Sequence, residues 1–306
     1  LRNINYKFNL FGIKNEIVKK INKFKNLQSV SEIIDCSDSI SMNDKPSEII
    51  KTKSSSSMNL AIKSVEKKDS DAVLSFGNTG ALMTLSLLNI KTLDEIKRPS
   101  IASIWPNMKG ESIVLDLGAN TKLSARYLID NAILGSSLAS VLLKIEKPSI
   151  GLLNVGKEDT KGNDEIKNAS ERLRKLDESN LLNYFGYIEG NDISIGKTNV
   201  VVTDGFTGNI ALKTAEGTAN FITSELKNAM TGTLLGKISS LLNISNLKKF
   251  KKRLDPRLYN GAIFIGLDSP VVKSHGGTDY IGFSNSLDVC HRIVKGNLIE
   301  KIKQNI

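Results

Sequence analysis

Tyr6, Phe8 and Leu10 alternate with Lys7 and Asn9, the two-residue period of a half-buried strand. A lysine-rich helix over roughly 14–26 and a short strand at Glu32–Asp35 follow. The polar stretch 37–57 ends in Ser54 to Ser57 and reads as a flexible linker, with Lys45-Pro46-Ser47 as a candidate anion-binding turn. Helices are then expected at 58–67, 81–88, 125–143 and 163–176. Strands are expected at 73–76, 98–106, 113–115, 150–155 and 200–203. Apolar strands alternating with helices of ten or more residues predict an α/β fold, a mostly parallel sheet with helices on both faces. The chain shows no internal repeat.

Three junctions stand out. Val73-Leu74-Ser75-Phe76 runs into Gly77-Asn78-Thr79-Gly80, and Ile113-Val114-Leu115 into Asp116-Leu117-Gly118-Ala119-Asn120. Val200-Val201-Val202-Thr203 runs into Asp204-Gly205-Phe206-Thr207-Gly208-Asn209, with Lys213 one turn on. Open parallel sheets bind ligands at the carboxyl ends of their strands. Glycine lets backbone N–H groups approach an anion, and a helix N-terminus adds partial positive charge. Lys273-Ser274-His275-Gly276-Gly277 adds a lysine and a histidine to the same chemistry. Together these residues predict one shared cleft for a phosphate and an oxyanion. The chain has neither a Walker A motif nor a complete G-x-G-x-x-G fingerprint, which lowers the weight of kinase and common dinucleotide readings.

The helix after Asn209 places Ala211, Ala215, Ala219, Ile222, Leu226 and Ala229 on one face, which predicts core. In the segment 232–253, Leu234, Leu235, Ile238, Leu241 and Leu242 form a stripe that ends in Lys248-Lys249-Phe250-Lys251-Lys252-Arg253. Such a stretch fits an anionic membrane surface, a twin across a dimer, or a plain surface helix packed on its own core.

Composition narrows the chemistry. The 306 residues carry 40% apolar side chains and six prolines, so the chain has a core. No apolar run approaches the roughly 18 residues of a membrane span. No signal peptide is evident, and Leu1 stands where a methionine would open an intact chain. Cys36 and Cys290 lie far apart, which fits a reduced cytosolic compartment and argues against a disulfide frame or zinc cluster. Two histidines, His275 and His291, exclude a multi-histidine metal site. The net charge of +10 favours an acidic partner, although the abundance of Lys, Asn, Ile and Ser offers a compositional explanation.

Several segments, in order along the chain, resemble a known family: KPSE (45–48), GNTGALM (77–83), LDLGAN (115–120), GLLNVG (151–156), VVVTDGFTGNIALKTAEG (200–217), RLDP (253–256) and KSHGG (273–277). They are similar to the phosphate acyltransferase family PlsX. The resemblance implies a Rossmann-like fold akin to phosphotransacetylases and isopropylmalate dehydrogenases, in a homodimer at the inner face of the membrane. It implies that inorganic phosphate attacks the thioester of a long-chain acyl–acyl-carrier-protein, without cofactor or metal. The acyl phosphate would feed a membrane-bound glycerol-3-phosphate acyltransferase in phospholipid synthesis, with an acidic carrier protein rather than nucleic acid as the partner.

On this reading His275, Lys213, Asp204 and Asn209 form the catalytic set, with His275 protonating the leaving thiolate. Gly77, Asn78, Thr79, Gly80, Gly205, Thr207, Gly208, Lys273 and Gly276 bind phosphate or the oxyanion. Asp116, Gly118, Asn120 and Lys45 orient the cleft. The chain would be one catalytic unit over 1–306, lacking a first strand and a glycine-rich turn, with 232–253 as a dimer- or membrane-contact segment. Asn191, Asn260 and Thr121-Lys122 depart from the family's usual residues and alter the charge expected at the cleft edge. The rival activities are a short-chain acyl-CoA phosphotransacetylase, a decarboxylating dehydrogenase and a non-catalytic carrier-protein scaffold.

Overall fold

The computed structural model describes residues 6–306, so the expectation about Leu1 falls outside it. A small parallel pair, β1 (Phe8–Gly12) and β2 (Ser31–Asp35), flanks α1 (Lys14–Ile21) and α2 (Lys25–Gln28). Next come α3 (Pro46–Thr52), α4 (Ser57–Glu66), β3 (Val73–Ser75), α5 (Thr79–Asn89), β4 (Ser100–Asn107), β5 (Gly110–Leu115) and α6 (Ala125–Leu142). They are followed by β6 (Ser149–Leu153), α7 (Asp164–Glu178), β7 (Asn183–Ile188), α8 (Gly190–Ile195), β8 (Val200–Val202) and α9 (Gly205–Thr231). The chain closes with α10 (Leu234–Leu242), α11 (Ile244–Arg253), β9 (Ala262–Ile265), β10 (Val271–Lys273), α12 (Tyr280–Lys295) and α13 (Leu298–Asn305). A 3-10 turn at Pro256–Tyr259 precedes β9.

Eight strands form one sheet in the order β3-β10-β9-β4-β5-β8-β6-β7. The predicted α/β class and mostly parallel sheet are present: β5, β8, β6 and β7 pair in parallel, as do β3 and β10. Alternation within the strands divides the core. Ile113, Leu115, Val200, Val202, Ile263 and Val272 face α6, α7, α12 and α13. Val114 and Val201 face α8 and α9, while Val73, Phe264 and Val271 face α4 and α5. All three residues of β8 are buried, as a strand covered on both faces requires.

Three antiparallel pairings interrupt the sheet. β4 runs antiparallel to β5 and to β9, and β10 runs antiparallel to β9. Thus β3 and β10 point opposite to β5 and β8, and their carboxyl ends lie at opposite edges of the sheet. The stretch read as a flexible linker contains α3, whose Ile49 is buried.

The alanine face of α9 is only partly core. Ala211 and Ala215 pack against the cluster of Trp105, Val114 and Val201. Farther on, Ile222 is 48% exposed, Ala229 is exposed, and α9 buries only Gly205 and Gly208. Length explains this. The 27 residues of α9 span about 40 Å at 1.5 Å per residue, and the six of β5 span about 20 Å. The helix therefore overshoots the sheet. α10 folds back on it through Ser240 Oγ, which donates to Met230 O (2.9 Å). Arg253, ending α11, returns to the β4–β5 hairpin by donating to the carbonyls of Asn107 and Met108.

Candidate functional site

At the carboxyl ends of β5 and β8, the Asp116 carboxylate is completely buried. Its Oδ1 accepts from the N–H groups of Ile101 (3.0 Å), Gly118 (3.0 Å) and Ala119 (2.9 Å). Its Oδ2 accepts from Asn120 N (2.8 Å) and Tyr127 Oη (2.7 Å). Burial, and then the charge of Asp116, raises the pKa of the Tyr127 phenol, so it stays a donor. Tyr127 also receives Asn120 Nδ2 (2.8 Å) and lies 2.6 Å from Ser100 Oγ.

The start of α9 docks on this loop. Asp204 caps the helix, its Oδ1 accepting from Phe206 N and Thr207 N and its Oδ2 from Thr207 Oγ1 (2.6 Å). Gly205 N donates to Asn120 O, Gly208 N to Asp204 O, and Asn209 Nδ2 to Leu117 O. A Cβ on Gly208 would sit 1.9 Å from the Asp116 carbonyl oxygen, so only glycine lets the two segments meet. Gly118, at φ +133°, lies against the Asn209 amide. The N–H groups of residues 205–208, assigned above to phosphate, are thus occupied inside the junction. Lys213 is exposed on α9.

The other two glycine turns meet at the opposite edge. β3 and β10 pair side by side, and Ser274 N donates to Ser75 O (2.9 Å). Asn78 caps α5 through Ala81 N (3.0 Å), while its Nδ2 donates to Met42 O (2.9 Å) and Asp44 O (3.2 Å). It thereby ties the 41–45 loop, and the exposed Lys45 that ends it, to the helix start. Ser47 of the KPS turn is outside the described side chains; Lys45 sits just before the proline that opens α3. Thr79 and Gly80 are exposed in the first turn of α5, and their N–H groups have no acceptor among the described residues.

Asn260 organises the neighbouring loop. Its Oδ1 accepts from His275 N (3.0 Å), and its Nδ2 donates to Ser274 Oγ (2.8 Å) and Thr278 Oγ1 (3.2 Å). His275 is exposed, and its Nδ1 accepts from Gly277 N (3.2 Å). The neutral imidazole therefore carries its proton on Nε2, which points a donor outward. Lys273 is buried, with Nζ donating to the Ser274 carbonyl, and burial pushes its pKa down. Gly276 packs near the Phe76 carbonyl.

The structure thus brings Lys45, Gly77, Asn78, Thr79, Gly80, Lys273, His275 and Gly276 together. It holds Asp116, Gly118, Asn120, Asp204, Gly205, Thr207, Gly208 and Asn209 apart from them. β10 and β5 are separated by three strand spacings, about 14 Å, and their carboxyl ends face opposite edges. One shared cleft within a protomer is replaced by two clusters. Sequence reasoning did not point to Tyr127 or Ser100, and it marked Asn260 only as a departure from the family's usual residue. Asn260 precedes β9 by two residues, as the glycine turns adjoin their strands, and this was the signal available. Among the described residues, no group of three or more His, Cys, Asp or Glu is placed to hold a metal ion.

Residues 1–301 match the family model described as "Fatty acid synthesis protein". A phosphate acyltransferase of Pelagibacter ubique (strain HTCC1062) is 58% identical over 99% of this chain and 90% of that protein. One from Sinorhizobium fredii is 43% identical over all of this chain and 88% of that protein. Among solved structures, the fold is similar to the EutD phosphotransacetylase from Staphylococcus aureus. That match has a TM-score of 0.57 and 15% identity, over 94% of this chain and 86% of that one. A branched-chain phosphotransacylase from Enterococcus faecalis V583 matches with TM-score 0.57 and 14% identity, over 94% and 99%. By the family model and by identity over nearly its whole length, the chain belongs to the phosphate acyltransferase family PlsX.

Proposed function

We propose that this enzyme transfers the acyl group of a long-chain acyl–acyl-carrier-protein to inorganic phosphate, releasing acyl phosphate for glycerol-3-phosphate acylation in phospholipid synthesis. The observation that carries this reading is the β3–β10 edge. There the two open N–H groups of α5, the buried Lys273 and the exposed His275 follow or end two strands paired side by side. Two N–H groups and a helix N-terminus suit a phosphate. Lys273 adds charge at low cost in reorganisation because its side chain is already fixed.

Phosphate is an anionic nucleophile near neutral pH, and a thiol leaves with a pKa of about 8.5. Positioning and fixed donors therefore matter more than a strong base. An oxygen of hydrogen phosphate bonds to the thioester carbonyl carbon, the C–S bond breaks, and its electron pair leaves on sulfur. The proton of the hydrogen phosphate passes to that thiolate, and His275 Nε2–H hydrogen bonds the departing sulfur and steadies its charge. Lys45 closes the mouth on the side of the 41–45 loop. The Asp116–Asn209 junction acts by holding α9 in place.

Changing His275 to Gln should lower turnover at least tenfold in an assay of phosphate-dependent acyl phosphate formation read by mass spectrometry. Unchanged turnover removes His275 from the mechanism. Acetyl-CoA as an equally good donor would favour the short-chain rival, and nicotinamide reduction would favour the dehydrogenase.

No helix among the described residues is long and apolar enough to cross a membrane. On α10, Leu234, Leu235, Ile238, Leu241 and Leu242 are all more than half exposed. This exposure supports contact with the inner membrane face or with a second copy in a homodimer. Deleting 234–247 should abolish sedimentation with anionic vesicles, and persisting binding would refute the membrane role.

A further inference from the structure

A groove of about 360 Å³ lies between α11 and the start of α12. Lys248, Lys251 and Lys252 line one side, and Arg257, Leu258 and Ile281 the other. Leu258 and Ile281 give it an apolar floor. The three lysines have no ion-pair partner among the described residues. The remaining lining residue, Asp255, is engaged by Arg257, whose Nε (2.8 Å) and Nη2 (2.6 Å) hydrogen bond its carboxylate and lower its pKa. Arg257 also donates through Nη1 to Asp279 (2.5 Å), the cap of α12. The rim is therefore cationic and the floor greasy.

One wall of the groove is tied to the loop that follows β10, since Arg257 donates to Asp279 and Asn260 to Thr278 Oγ1. Asn260 follows the turn that carries Arg257 and Leu258, and it holds His275 N and Ser274 Oγ. Ile281 lies six residues beyond His275. Arg253 fixes the far wall by its bonds to Asn107 and Met108. A thioester carried on a long arm joined through a phosphodiester needs three features in line: cations, an apolar track and the reacting groups.

Resting on the reaction proposed above, we infer that this groove seats that phosphodiester-bearing arm and that the acidic carrier protein docks on the basic end of α11. Complementary charge speeds and orients such encounters. The alternative occupant is an anionic bilayer. A bilayer surface meets convex apolar features, which α10 supplies, whereas the three lysines line a concavity whose opposite wall, Arg257 and Ile281, adjoins the 275–279 loop.

The test is a full-length Lys251→Glu/Lys252→Glu double variant, with Lys248→Glu as a milder second. A Lys19→Glu/Lys20→Glu variant on α1 carries the same change in net charge. Anisotropy of a labelled holo-carrier protein reads binding, and steady-state kinetics reads KM against kcat. The double variant is expected to raise both Kd and KM for the carrier at least tenfold, with kcat little changed. Lys248→Glu should raise Kd about threefold, and the α1 variant should leave it unaltered. An unchanged Kd in the groove variants, or an equal loss in the α1 variant, overturns the inference. So does lost binding to phosphatidylglycerol vesicles with carrier affinity intact. If the wild-type chain binds carrier through the groove yet makes no acyl phosphate, the docking assignment stands and the reaction falls.

Discussion

Replacing Gly208 by Ala should cost about 3 kcal/mol or more, because the new methyl has no room to relax into. The atom it meets, 1.9 Å away, is the backbone oxygen of Asp116, not the tip of a flexible side chain. That oxygen belongs to a loop pinned by five hydrogen bonds to the Asp116 carboxylate. Relief thus requires either that loop or the start of α9 to move. A urea titration of the purified variant checks this. A midpoint within experimental scatter of the wild type would show that the junction is looser than described. Ala at Gly217, where a Cβ meets nothing within 4 Å, is the control and should be nearly neutral or slightly stabilising.

Asp116→Asn should be the second most damaging of the changes considered, at about 3 kcal/mol. Hydrogen bonds to a charged group contribute about 1.5–3 kcal/mol each and are not additive. The substitution removes the charge and turns an amide NH2 toward groups that are themselves donors: either the three N–H groups at Oδ1, or Asn120 N and the Tyr127 hydroxyl at Oδ2. Buried donors are then left facing a donor. Differential scanning calorimetry should show a lower Tm, and limited proteolysis should begin near 116–120. Loss of turnover with Tm unchanged would instead place Asp116 in the chemistry and contradict the scaffold reading.

Much of the architecture was legible because buried strands announce themselves. Val200-Val201-Val202 is apolar on both faces, and the Asp204-Gly205 that follows ends the strand and caps a helix. Strand direction was harder to see, yet a signal existed. The 98–106 and 113–115 strands are joined by too few residues for a crossover, so they can only pair antiparallel. β9 undoes that reversal by running antiparallel to β4, and it is the further antiparallel pairing of β9 with β10 that separates the glycine turns into two groups; β9 and β10, four and three residues long, are too short to announce it. The site was half legible for a different reason. Asp, Asn, Thr and Gly cap helices and bind anions with the same atoms. Sequence alone could not tell that Asp204 serves its own helix while Thr79 and Gly80 keep their N–H groups open. The alanine face of α9 misled because periodicity reports which side is apolar, not how far the sheet beneath extends.

The length of α9 has a mechanical consequence. Its first turn is clamped at one edge of the sheet, and its last turns carry α10 and α11 out beyond the other, where Arg253 returns to the β4–β5 hairpin. The helix is a lever of about 40 Å whose fulcrum is the Asp116–Asn209 seat. A load taken up by the projecting end, from a bilayer or a second copy, arrives at that seat as torque. A pivot built from a buried carboxylate and a methyl-free helix start is tightly packed and resists it.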